Sequence, residues 1–148
     1  MVIDTVVIDR PQAYEPTGVQ IEKWFPVVDP GMAPFGSRVL VQMKKVGKVT
    51  RGGILLSEDT QDAEQDNTQI ALVRAIGPLS YRKRDNLAEW PESMWCKPGS
   101  IVRVPRFGQH ERFVFPDAEG YPVEFRLYDD FQMLGLITSD PDRFRAYL

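Results

Sequence analysis

The sequence predicts a small all-β domain with an extended N-terminal arm, and three observations carry that prediction. From residue 34 to residue 138, short runs of alternating or β-branched residues recur between Gly, Pro and Asp turn signals. No segment of helical length shows a 3.6-residue apolar period. Ahead of these runs, Pro11, Pro16, Pro26 and Pro30 crowd residues 1–33, a density that predicts neither a helix nor a central strand there.

The elements follow in order. The arm, residues 1–33, holds a strand-like piece at Thr5–Ile8. It also holds Trp24-Phe25-Pro26-Val27-Val28, whose large apolar side chains suit it to pack on another surface. The barrel domain is expected over 34–138. Its first strand, "RVLVQMK", sets Val39, Val41 and Met43 against Arg38, Leu40, Gln42 and Lys44, the period of a half-buried strand. "QIALVRAIG" is the second and closes at Gly77-Pro78. "GSIVRVP", "ERFVF" and "PVEFRLY" come next, each bounded by turn residues, and "DDFQMLGLIT" supplies a last strand. Short strands at this density favour a small closed barrel or a sandwich. Residues 139–148 form a short tail.

Composition narrows the function classes. The 148 residues suffice for one domain and are tight for two. A net charge of −3 argues against a general nucleic-acid or acidic-membrane binder. The single cysteine, Cys96, excludes an intrachain disulfide and fits a reducing, cytoplasmic setting. Asp4, Asp9 and Arg10 interrupt any secretory signal. No uncharged apolar run approaches the roughly 20 residues that span a bilayer.

Catalytic patterns fail one by one. One histidine, His110, and one cysteine cannot build a His/Cys metal cluster, and nothing local supports a Cys96–His110 nucleophile pair. "VGKVT" lacks the phosphate-loop glycine, since Gln42 stands in its place. "DAEQDN" alternates carboxylates as a calcium loop does, yet has Asn67 at the turn-glycine position and Val73 where a bidentate glutamate is needed. "YRKRD", residues 81–85, is the one basic cluster and reads as a solvated turn. Trp90 and Trp95 read as packing anchors of a long connection. No cofactor and no metal are expected.

"RGGILLSEDTQDAEQDNTQ", residues 51–69, is the stretch that calls for another explanation. Gly52-Gly53 gives the chain conformational freedom, and Glu58, Asp59, Asp62, Glu64 and Asp66 follow without a lysine or arginine among them. Between these polar flanks sit Ile54, Leu55 and Leu56. Two readings are open from composition: the tripeptide begins a barrel strand, or it belongs to a docking loop, about 46–67, that becomes ordered on a partner. Burying three aliphatic side chains is worth roughly 1.5–3 kcal/mol each. Ordering the segment takes back about 2–5 kcal/mol. What remains corresponds to about millimolar affinity for one copy. Several copies on one ring would bind in concert and gain orders of magnitude. Such a loop makes sense in a symmetric oligomer that faces another symmetric oligomer.

The ordered set of motifs resembles the GroES-type co-chaperonins, the Hsp10 or chaperonin-10 family. Ser37-Arg38-Val39-Leu40-Val41 resembles the family's first strand, and Gly52-Gly53-Ile54-Leu55-Leu56 its "G-G-I-x-L" mobile loop. Arg74-Ala75-Ile76-Gly77 is similar to the "A-V-G" strand end, and Lys97-Pro98-Gly99-Ser100-Ile101-Val102 to "K-x-G-D-x-V", with Ser100 in place of the aspartate. Phe107-Gly108 matches a glycine turn, and Asp130–Ile137 resembles the closing strand.

The resemblance implies a GroES-like β-barrel that assembles as a heptamer and caps a GroEL-type chaperonin ring in its ATP- or ADP-bound state. A client protein is thereby enclosed, and the lid itself has no enzymatic activity. Ile54, Leu55 and Leu56 would be the binding residues, with Gly52 and Gly53 allowing the bend. The first and last strands would pair between subunits, which makes Val39, Leu40, Val41, Met133, Leu134 and Leu136 interface candidates. Residues 1–33 and the tail 139–148 have no counterpart in that pattern. The connection from Gly77 to Gly99, where the family has its roof hairpin, shows no clear hairpin turn. Such divergence is similar to phage-encoded members, and a viral origin is expected on that ground. Two rivals predict different outcomes: a β-barrel viral assembly protein would use residues 1–33 for contacts, and a small enzyme would need Cys96 and His110.

Overall fold

The computed structural model describes residues 12–45, 68–108 and 110–144. Thr5–Ile8 and the stretch 46–67 lie outside them. The all-β expectation holds: six antiparallel strands form one sheet. They are β1 (Arg38–Met43), β2 (Ile70–Ile76), β3 (Ile101–Arg103), β4 (Glu111–Pro116), β5 (Pro122–Asp129) and β6 (Gly135–Leu136), in the order β4-β5-β1-β2-β3-β6. No ladder joins β4 to β6 among the described residues.

β1 is buried on both faces, from Val39 to Met43. The expectation of a half-buried strand is corrected, and the reason lies in two separate covers. On one face Val39, Val41, Met43, Ala71, Val73, Val102 and Tyr128 pack under Tyr81, Cys96 and Met133, with Trp90 and Trp95 alongside. On the other, Ile70, Leu72 and Ile101 pack against Trp24 and Phe25, while Leu40, Val123 and Phe125 have Val28 beside them. That second cover is the arm.

The arm is also where a helix appears against expectation. α1 (Gly18–Trp24) occupies the interval between Pro16 and Pro26. Thr17 and Gln20 form a capping box: the Gln20 N–H donates to Thr17 Oγ1 at 3.3 Å, and the Thr17 N–H to Gln20 Oε1 at 3.0 Å. The T-x-x-Q signal stands in the sequence, and the prolines bound the helix instead of forbidding it.

Beyond α1 the chain is bonded to the sheet. The Lys45 N–H donates to Trp24 O at 2.8 Å, Gln42 Nε2 to Pro26 O at 2.8 Å and Arg74 Nη2 to Val28 O at 3.3 Å. The second of these bonds satisfies the amide nitrogen of Gln42, which has no exposed surface, while its Oε1 is buried without a hydrogen-bond partner.

The last expected strand is mostly a turn. The Asp129 N–H donates to Gln132 Oε1 at 2.8 Å and the Phe131 N–H to Asp130 Oδ1 at 2.8 Å, so local side-chain bonds replace the ladder over 129–132. Only Gly135–Leu136 then pairs with β3.

The subunit-interface candidates have different surroundings within the chain. The strand lies between β5 and β2 within one copy, and Val39, Leu40 and Val41 have no exposed surface. Both its edges are paired within the chain. Met133 is likewise inside the core. Leu134, exposed, and Leu136, half-buried, lie on the edge strand or beside it; an interface role for all six stays a proposal.

Gly77 fixes how the start of β1 meets the end of β2. A Cβ there would stand 2.2 Å from the Gly36 carbonyl oxygen, so the two backbones touch only because Gly77 has no side chain. Removing the arm's aromatic cover should be costly. Trp24→Ala or Phe25→Ala is expected to lower the unfolding free energy by about 3–5 kcal/mol in urea titrations; a loss below about 1 kcal/mol would show that the sheet tolerates an open second face.

Candidate functional site

The stretch that carries Gly52, Gly53, Ile54, Leu55 and Leu56 lies outside the described residues, but both of its stems are within them. β1 runs out through Lys44 and Lys45, and the chain re-enters β2 through Thr68 and Gln69. Because β1 and β2 are adjacent and antiparallel, the two stems stand side by side. The Lys44 N–H donates to Ile70 O at 2.9 Å, which extends the ladder one step past the strand. Gln69 is held by Val104: its carbonyl accepts from the Val104 N–H at 2.8 Å, and its Nε2 donates to Val104 O at 3.2 Å.

Asp130 ties the long connection to the β-domain. It is fully buried and accepts from the Tyr81 N–H at 2.8 Å, while Arg84 Nη2 approaches its two oxygens at 3.1 and 3.0 Å. The basic cluster "YRKRD" is therefore only partly the solvated turn expected of it: Arg82 and Lys83 are exposed, whereas Tyr81 is core and Arg84 is a counter-ion. Within the same connection Arg82 and Glu89 form an isolated antiparallel bridge, and the Lys83 N–H donates to Ala88 O at 2.7 Å. A one-bridge hairpin exists there that no turn signature announced, with Leu87 at φ 61° serving the bend. Trp90 and Trp95 pack as anchors around Tyr81, with ring centroids 5.0 Å from each other.

The nucleophile pair gains nothing from the geometry. The Cys96 thiol is buried against Tyr81 Oη at 3.1 Å, and burial pushes its pKa up, away from a reactive thiolate. His110 instead faces Tyr128, with ring centroids 4.9 Å apart. Burial, then the Arg126 guanidinium, hold its imidazole below the ordinary value. Beside it, Glu124 and Arg126 form a buried ion pair at 2.9 Å, and Arg112 Nε reaches the same carboxylate at 2.9 Å. A cleft of about 410 Å³ opens next to His110, lined among others by Arg38, Glu111 and Asp129; its mixed charges select no ion. No group of three or more His, Cys, Asp or Glu that could hold a metal occurs among the described residues. No helix among them is long and apolar enough to cross a membrane.

The arrangement is thus a β-domain with paired stems and a capped core. The family model for the chaperonin 10 kDa subunit, Cpn10, matches residues 31–94, which take in β1, the stretch between the stems, β2 and most of the long connection. Over that span the chain is similar to the Cpn10 family. No curated protein matches it significantly. The similarity is to a chaperonin subunit family and is confined to those residues. The arm through Pro30 and everything after Met94 lie outside the matched residues.

Two outcomes follow for this chain. Arg84→Met leaves the buried Asp130 carboxylate without its guanidinium and should destabilise by about 1–3 kcal/mol in urea, with Asp130→Asn in the same background relieving part of the loss. His110 makes stability depend on pH. Its folded pKa is depressed, so below the ordinary value of 6.5 the unfolded chain takes up the proton first. The melting temperature should therefore fall as pH drops below about 6.5, and His110→Phe should flatten that slope.

Proposed function

We propose that the protein is a co-chaperonin that caps a chaperonin ring through the apolar tripeptide Ile54-Leu55-Leu56. The observation that carries this reading is the family match around two stems held side by side, which bracket Gly52-Gly53 and the tripeptide. Copies of the chain would form a ring, heptameric as in the family, and present one such segment each. Binding would be to the nucleotide-bound chaperonin, with a client protein enclosed beneath. The lid hydrolyses nothing, and its setting is the cytoplasm, a bacterial host's if the origin is viral.

Weak single contacts support a ring over a monomer, since one tripeptide yields only about millimolar affinity. The assembly-protein rival needs an arm that reaches other chains. Trp24 and Phe25 are 3% and 1% exposed within their own chain, which weighs against it.

Imaging the purified protein with a chaperonin ring and ATP should give capped particles. Ile54→Asp and Leu55→Ala should leave the oligomer intact in sedimentation while capping is lost. Unfolding of these variants would place the tripeptide in the core, and capping that survives both would overturn the docking role.

A further inference from the structure

The stem that leaves β1 is gripped by parts of the chain that lie outside the family match. Lys44 Nζ is 3.3 Å from Asp142 Oδ1, in the C-terminal tail, and the lysine side chain is 18% exposed. The same carboxylate oxygen accepts from Trp24 Nε1 at 3.0 Å, and Lys23 Nζ stands 3.8 Å from Oδ2. One residue further along, the Lys45 N–H donates to Trp24 O at 2.8 Å. Lys45 Nζ meanwhile lies 4.2 Å from the Tyr121 ring centroid and 3.9 Å from Asp117 Oδ2, at the β4–β5 turn. Arm, tail and hairpin turn thus converge on two consecutive residues, at the point where the chain departs towards 46–67.

Packing alone does not account for this. Covering the sheet requires the Trp24 ring, which would serve equally without its indole N–H and without a carboxylate beside it. Asp142 is itself set by a short 3₁₀ turn, Pro141–Arg143, whose cap Asp140 accepts from the Asp142 N–H at 2.9 Å. The tail is built to place that carboxylate between the arm's indole and the stem's ammonium.

We propose that Asp142, with Trp24 and Lys44, is a positioning device for partner docking: it fixes the exit of the β1 stem so that every copy presents its segment in one orientation. This rests on the docking reading given above. Avidity on a ring depends on simultaneous engagement and collapses when the geometry of individual arms is scattered. A clamp on each stem meets that requirement without touching the partner.

The test uses the full-length assembled protein and three variants, Asp142→Ala, Asp142→Glu and Trp24→Phe, the last keeping a ring in the core while removing the indole donor. Two readouts are taken: amide hydrogen exchange in the peptide spanning residues 43–46, and affinity for a chaperonin ring with ATP. Asp142→Ala should speed exchange about tenfold, the scale of a lost charged hydrogen bond, and weaken capping by a larger factor because every copy is affected. Trp24→Phe should move both in the same direction, and Asp142→Glu should restore both towards wild type. Unchanged exchange in Asp142→Ala and Trp24→Phe overturns the clamp. Faster exchange with undiminished capping overturns the positioning role alone. Failure of the wild-type particle to bind any chaperonin ring ends the docking reading, and this role with it, whatever the exchange shows.

Discussion

A sheet that is apolar on both faces must be covered twice, and the rest of this structure answers to that constraint. β1 shows it most plainly, with Val39 and Val41 directed to one cover and Leu40 to the other. Each aliphatic side chain left against water would forgo about 1.5–3 kcal/mol, so neither face can stay open in a chain of this size. The long connection supplies one cover with Tyr81, Trp90 and Trp95. The arm supplies the other with Trp24 and Phe25.

Both covers are fastened in the same way, by a single carboxylate at the seam. Asp130 joins the Tyr81 N–H and the Arg84 guanidinium to the turn after β5. Asp142 joins the Trp24 indole and the Lys44 ammonium at the exit of β1. Apolar burial supplies most of the free energy but has no direction. The carboxylates add register, because a charged acceptor specifies where its donors must sit. That division lets segments with few elements of regular structure hold fixed positions on a sheet.

The arrangement also shapes what the stems can do. Adjacent antiparallel strands bring Lys45 and Thr68 together, so residues 46–67 begin and end at one place on the sheet's rim. The ladder continues past β1 on one side of the stem, and the arm's carbonyl takes the next N–H on the other. A departure point defined from two directions is the structural basis for the docking proposal.

Much of the strand content was legible because it depends on local pattern: β2 to β5 fall where β-branched runs meet Gly, Pro and Asp. The capping box at Thr17–Gln20 was equally local and was obscured only by the weight given to the flanking prolines. Motif order alone pointed to the family, since Arg38–Val41, Gly52–Leu56 and Ile76-Gly77 keep their spacing whatever covers the sheet. Tertiary structure alone decided that β1 is central in the sheet, that Arg84 serves a buried carboxylate, and that the arm folds back on its own chain. The physical reason is separation along the chain. A strand's period reports that one face is apolar, whereas the cover for the other face comes from residues some fifteen or more positions away, and Asp142 meets Trp24 across 118 residues.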